Sequence, residues 1–263
     1  MRAGRMVRRL LVYLLVAVVI AALVVFAMIS YVPSSYRWRH RSPEEQKIAR
    51  NAFVKHIGEG FGNRIGRARV GEVFTWTLTA EQANDYLASL DAIASLGSLD
   101  EDEPVYALAA MERAGLADPA VAMDDGLLTV MAKVRKYGKV FSIDLALEFD
   151  DAGDLGIRIA GMRIGAMPVP QAILEDRVQQ ARSRLSAQLA RAERAQDARL
   201  GAVDLSQLAG LMRESLSMLT GESVRPVLRY KLFGTTHRAQ VRRIEIDEGK
   251  LTLHCEKLPF KRD

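Results

Sequence analysis

The chain has 263 residues, 49% hydrophobic and 26% charged, which is too apolar for a disordered chain and lacks the repetition of a collagen-like one. One cysteine, Cys255, excludes an internal disulfide framework and multi-cysteine metal patterns, and His40, His56, His237 and His254 leave little for histidine chemistry. The net charge of +5 suggests nucleic acid until it is divided: residues 1–50 hold nine basic and two acidic side chains, the remainder 28 basic and 30 acidic. The basicity belongs to the first fifth of the chain, and no nucleic-acid partner is expected.

Arg2, Arg5, Arg8 and Arg9 make residues 1–9 a basic tail. Leu10–Val32 follows without a charge, and 23 residues at about 1.5 Å each reach roughly 34 Å, enough for a bilayer core of about 30 Å. A cleaved signal peptide would have a shorter apolar run ending in a small-x-small site, and Ile29-Ser30-Tyr31-Val32-Pro33 offers none. A buried core helix would show a polar face. The run therefore predicts a single transmembrane helix over 10–32, with Tyr31, Tyr36 and Trp38 at the far interface. Flanking Lys/Arg tie, since Arg37, Arg39, Arg41 and Lys47 balance the tail. Because Arg8 and Arg9 abut the run, the N-terminus is expected in the cytoplasm and the C-terminal part outside, at the cell membrane.

Residues 33–70 form a connector. Ser42-Pro43-Glu44-Glu45 is a capped helix start, predicting a helix over about 43–57 with Ile48, Ala52, Phe53 and Ile57 inward. Gly58 to Gly66 follows a helix rather than a strand and lacks a Gly-Lys-Ser/Thr ending, so a flexible turn is expected in place of a phosphate loop. One α+β domain is expected over 71–263. Phe74, Trp76 and Leu78 alternate with threonines as a strand, and Thr79 with Gln82 caps a helix. Asp100–Glu103 is expected to be a solvated acidic loop rather than a calcium loop, before a short helix ending at Gly115. From residue 120 the period is two, with strands near 127–135, 140–149 and 154–164. On the middle one, Phe141, Ile143, Leu145, Leu147 and Phe149 share an apolar face, opposite a wetter face of Ser142, Asp144, Ala146 and Glu148. A long helix over about 170–200 carries Leu174, Val178 and Leu185 as a stripe, with arginines on its other faces. A further helix ends near Gly221, and strands near 224–233, 238–247 and 250–258 close the chain. Leu251, Leu253 and Cys255 share a face, so the thiol is expected to be a small buried hydrophobe.

No hydrolase, Walker, zinc-protease or paired-cysteine motif is present. His237 and His254 lie on neighbouring predicted strands, but no third ligand is spaced to join them. No catalytic residue, cofactor or metal is nominated, and a hydrolase would need a polar cluster that the sequence does not supply.

Two segments carry a resemblance. Phe74-Thr75-Trp76-Thr77-Leu78 leads into Thr79, Glu81, Asn84 and Leu87 at the spacing Thr-x-Glu-x-x-Asn-x-x-Leu. A second strand ends in Gly165, Pro168 and Pro170, and Ile244–Leu253 fits a closing hairpin. The pattern over most of 70–258 resembles YpmS-like membrane-anchored bacterial proteins and periplasmic lipoproteins of the tubular lipid-binding type. That resemblance implies a curved antiparallel β-sheet packed on a long α-helix, with an apolar groove for lipid. Candidate lipid-facing positions are Phe141, Ile143, Leu145, Leu147, Leu155, Ile157, Ile159, Leu174, Val178 and Leu185. The expected function is a non-catalytic, lipid-binding or lipid-handling domain anchored in the envelope, with membrane and lipid as partners. The rival is a scaffold that docks another envelope protein through the Arg-rich helix.

Overall fold

Period-two patterning resolves into two separate antiparallel sheets. The computed structural model describes residues 18–94, 107–170, 223–232 and 235–259. One sheet has the order β1 (Val73–Thr79), β9 (Lys250–Leu258), β8 (Thr235–Asp247), β7 (Val227–Leu232). The other is a meander of β2 (Leu116–Asp124), β3 (Leu127–Val134), β4 (Lys139–Phe149), β5 (Leu155–Ile164) and the short β6 (Met167–Pro168). Two hairpin tips join them. Asp125-Gly126 and Glu248-Gly249 turn with positive φ at both residues, the geometry that matches the twist of two-residue hairpins. The Gly126 N–H donates to the Ile246 carbonyl at 3.0 Å, and the Gly249 N–H to the Met123 carbonyl at 2.8 Å.

The helices precede the strands they serve. The described part of α1 is residues 18–30. Next come α2 (Pro43–Lys55), a π-helix (His56–Gly62) and α3 (Asn63–Arg67), which run on without a break in helical backbone angles. Ser42 caps α2, with Glu45 reaching back to the Ser42 N–H, so the capping box read from the sequence is present. The face of α2 is rotated from the expectation: Ala49 is buried and Ile48 exposed. Thr79 and Gln82 form a second capping box at α4 (Ala80–Ala88), followed by α5 (Leu90–Ala94) and α6 (Ala107–Arg113).

Among the described residues two clusters form the core. Phe61 and Ile65 bury against Ala239, Val241 and Cys255 of the four-stranded sheet, ringed by Phe74, Trp76, Phe149 and Tyr230. Ala120, Met131 and Val140 pack in the five-stranded sheet under Tyr36.

These findings correct the expected architecture. In place of the one curved sheet expected after a transmembrane helix, the described residues form two sheets clasped at their hairpin tips. No helix among the described residues is long and apolar enough to cross a membrane. The described part of α1, residues 18–30, reaches only about 20 Å at 1.5 Å per residue and gives way to a turn at Pro33. The first part of the apolar run, the basic tail, residues 100–103 and residues 171–221, over which two helices are expected, lie outside the described residues. The sheet separates in two because β1 pairs with β9, which commits the N- and C-terminal strands to each other and leaves the meander to itself.

Two local expectations also change. Gly58–Gly66 is helical rather than a loose turn, because Phe61 and Ile65 sit four apart and both find the core. Glycine is needed there for approach: a Cβ at Gly62 would lie 2.6 Å from Tyr230 Cε1. Residues 116–124, not recognised as a strand, pair with β3 through a bulge between Ala117 and Ala120, where Asp118 takes a φ of 54°. Asp118-Pro119 interrupts the alternation that would have revealed β2.

Gly62→Ala should lower the urea midpoint by an amount equivalent to about 1–3 kcal/mol, because the Tyr230 ring must move. Gly58→Ala, whose Cβ would stand 3.6 Å from the Tyr230 hydroxyl, should leave the midpoint unchanged or raise it. Equal losses in the two variants would contradict this packing.

Candidate functional site

Strand register decides which apolar side chains meet. Ile143 lies between Val130 and Met162, Leu145 between Leu128 and Ile159, Leu147 opposite Ile157, and Phe149 opposite Leu155. Phe141, Ile143, Leu145, Leu147, Leu155, Ile157 and Ile159 therefore belong to one cross-strand apolar surface. Leu145 and Leu155 are buried and the others half-buried. Leu174, Val178 and Leu185 lie outside the described residues. A bulge skips Ala160 between the Asp144 and Leu145 pairings, so the surface bends at its middle.

The face expected to be wetter is wet only at its far end, where Glu148 is exposed and pairs with Arg158. Val140, Ser142 and Ala146 are at most 6% exposed. The chain leaving α1 covers the Val140 end: Tyr36 packs on the Ala120, Met131 and Val140 cluster, and its hydroxyl donates to the Asp118 carbonyl at 2.8 Å. Alternation showed two faces, and only the tertiary path of residues 28–36 supplies the cover.

The motif positions have separate local tasks. Thr79 caps α4, Glu81 is exposed and Leu87 half-buried. Asn84 forms a two-way bond with the free edge of β2, donating to the Val121 carbonyl at 2.9 Å and accepting from its N–H at 2.7 Å. A side-chain amide thus stands in for a neighbouring strand. Gly165 has φ 62°, and a Cβ there would be 2.4 Å from the Met28 carbonyl oxygen and 2.6 Å from that of Ile29. Its place is the dock for the end of α1, and the Ala166 N–H donates to the same Met28 oxygen at 2.8 Å. Pro168 pairs with Arg163 on the exposed edge strand β6, and Pro170 is exposed beyond it.

Among the described residues, clefts lie on two sides of α4. One of about 410 Å³ has Arg37, Arg39, Glu81, Asp85, Asp124 and Glu248 around Asn84. The other, about 500 Å³, is lined by His56, Glu59, Gln82, Asp85 and Tyr86, with the His56 ring 4.9 Å from that of Trp76. Arg41 pairs with Asp85 between α2 and α4. Among the described residues no three His, Cys, Asp or Glu side chains converge to hold a metal ion. Cys255 is fully buried, and burial pushes its thiol up to about 11, away from the thiolate that nucleophilic chemistry requires.

The buried cation was missed. Lys257 is 2% exposed, donates from Nζ to the Ile65 carbonyl at 2.6 Å and lies 2.6 Å from His237 Nδ1. It satisfies a carbonyl in the last turn of α3 and so ties that helix to β9. The signal was available, since alternation from Leu251 through Cys255 puts residue 257 on the buried face. His237 and His254 do not meet. His237 pairs with Tyr230 on β7, and His254 faces Arg243, its Nε2 3.2 Å from Glu245.

Asn84→Ala should cost about 1–3 kcal/mol by stranding the Val121 N–H and carbonyl, and Asn84→Asp, which sets an anionic oxygen against the Val121 carbonyl in place of the donor, should cost at least as much. Urea unfolding reads both, and an Asp variant as stable as the parent would rule out the two-way bond. Burial and the Lys257 charge lower the His237 pKa below its ordinary 6.5. The unfolded chain therefore takes up this proton first, so stability should fall as the pH drops from 6.5 toward the lowered value. His237→Gln should remove that part of the slope in urea midpoints, and an unchanged slope would assign it to other groups. No protein-family model, curated protein or solved structure matches this chain.

Proposed function

We propose that the chain is a non-catalytic protein of the cell membrane that handles lipid through the apolar surface of β3–β5. The observation that carries this reading is the exposed apolar helix α1. Val18, Ile20, Leu23, Val24 and Phe26 are each more than half exposed, with Leu23 at 62% and Phe26 at 66%. Every residue from 18 to 27 is apolar and exposed, so no polar face is left to lie toward water. Burial of one such side chain is worth roughly 1.5–3 kcal/mol, and a lipid phase provides it for all of them at once.

The domain's own arrangement supports lipid handling. The Phe141, Ile143, Leu147, Ile157 and Ile159 surface stays half-buried while Tyr36 packs on Val140 of the opposite face. Docking of an envelope protein through the arginines expected on a helix over about 170–200 has no comparable observation in its favour, because residues 171–200 lie outside the described ones.

The full chain should co-float with phosphatidylcholine vesicles, and Leu23→Asp with Phe26→Asp should reduce the bound fraction more than tenfold. In the same vesicles, Ile143→Asp should leave flotation intact and slow exchange of a fluorescent phospholipid between vesicle populations. Unchanged flotation of the double variant would overturn the membrane reading, and unchanged exchange with Ile143→Asp would overturn the lipid-handling one.

A further inference from the structure

We infer that the tip of the β3–β4 hairpin is a headgroup contact that seats the five-stranded sheet on an anionic lipid surface. This rests on the proposal that α1 lies in lipid. The segment Lys133-Val134-Arg135-Lys136-Tyr137-Gly138-Lys139 has four basic side chains and no acidic one. The hairpin adjoins the place where α1 leaves the domain: Lys139 Nζ is 2.6 Å from Ser30 Oγ and 5.2 Å from the centre of the Phe26 ring.

The exposure along α1 sets the boundary. Residues 18–27 are exposed and residues 28–30 are partly covered. If lipid takes up the exposed part, the elements packed around residues 28–31 lie at its surface. Those elements are the β3–β4 hairpin and the Gly165-Ala166 turn, which share one end of the sheet through the Gly165 N–H to Val140 carbonyl bond at 2.8 Å.

The chemistry of the tip suits that position. Tyr137 is 65% exposed, an amphipathic ring of the kind that settles at headgroup depth, and Lys136 Nζ lies 5.4 Å from its centre. Arg135 is partly neutralised by Glu112 at 3.2 Å, while Lys133 and Lys136 are exposed on the same strand end. Each basic residue brought near an anionic surface strengthens binding about fivefold, an effect that salt screens.

The test uses the full chain in two kinds of vesicle, phosphatidylcholine alone and phosphatidylcholine with phosphatidylglycerol. A nitroxide label is placed by Lys136→Cys or, as a reference, by Val24→Cys; Cys255 is fully buried and does not compete for the label. Collision with oxygen and with a water-soluble nickel complex reports the depth of each label. The expected result is a lipid-exposed label at 24 in both vesicles and a label at 136 shielded from nickel only when phosphatidylglycerol is present. Lys133→Glu with Lys136→Glu should weaken flotation at least tenfold on phosphatidylglycerol vesicles and leave it unchanged on phosphatidylcholine. A lipid-exposed label at 24 with an equally water-exposed label at 136 in both vesicles would overturn the hairpin contact and leave the membrane reading standing. Shielding at 136 without phosphatidylglycerol would overturn the charge-based contact. A water-exposed label at 24 would overturn the membrane reading and this inference with it.

Discussion

Two hairpin tips that exchange backbone hydrogen bonds hold the two sheets in one arrangement. The Gly126 N–H reaches the β8 end at Ile246, and the Gly249 N–H reaches the β2 end at Met123. Each bond closes a group that would otherwise be an open turn donor, and both depend on tight turns whose positive φ angles point these N–H groups outward. Helix α4 locks the joint from the side. Its first N–H, from Ala80, donates to the Gly249 carbonyl at 2.7 Å, and Asn84 grips both polar groups of Val121. One short helix thus touches the turn of one sheet and the edge of the other.

From that joint the two cores follow. With β1 drawn to β9, the four-stranded sheet presents Cys255, Val241 and Ala239 to the α2–π–α3 rod, and Lys257 fastens the rod's end through the Ile65 carbonyl. A buried ammonium is tolerable because it makes hydrogen bonds to a carbonyl and a ring nitrogen at 2.6 Å. The five-stranded sheet has no such rod among the described elements. Its cover on one face is the irregular chain after α1, held by Tyr36, Lys139 and the close approach at Gly165. Only the last turn of α1, residues 28–30, therefore meets the sheet, at Lys139 and at the Gly165-Ala166 turn.

Much of the local structure was legible because local physics controls it. Ser42 and Thr79 announced their helices through capping boxes, which require only side chains three residues apart. The Phe141–Phe149 alternation announced β4 because side chains of a strand change faces at every residue. Legibility failed where a neighbour distant in sequence decides. Asn84 looked like a motif position and is an edge clamp for a strand 37 residues away. Gly62 looked like looseness and is room for Tyr230. Ser142 looked wet and is buried, because alternation marks two faces and says nothing of what lies over each.

By itself, the sequence determined the concentration of basic charge beside an uncharged apolar run, the capped helix starts and the strands of the meander. It also determined that its lone thiol belongs to a buried face. These rest on composition, on contacts within one helical turn and on the pleat of a single strand. Only the tertiary structure decided that there are two sheets, that Lys257 is buried beside His237, and that the basic tip at Arg135–Lys139 stands next to the exposed apolar helix. The reason is that β pairing and burial join residues as far apart as Ile65 and Lys257, and the partner in such a bond leaves no mark on the local pattern of either residue.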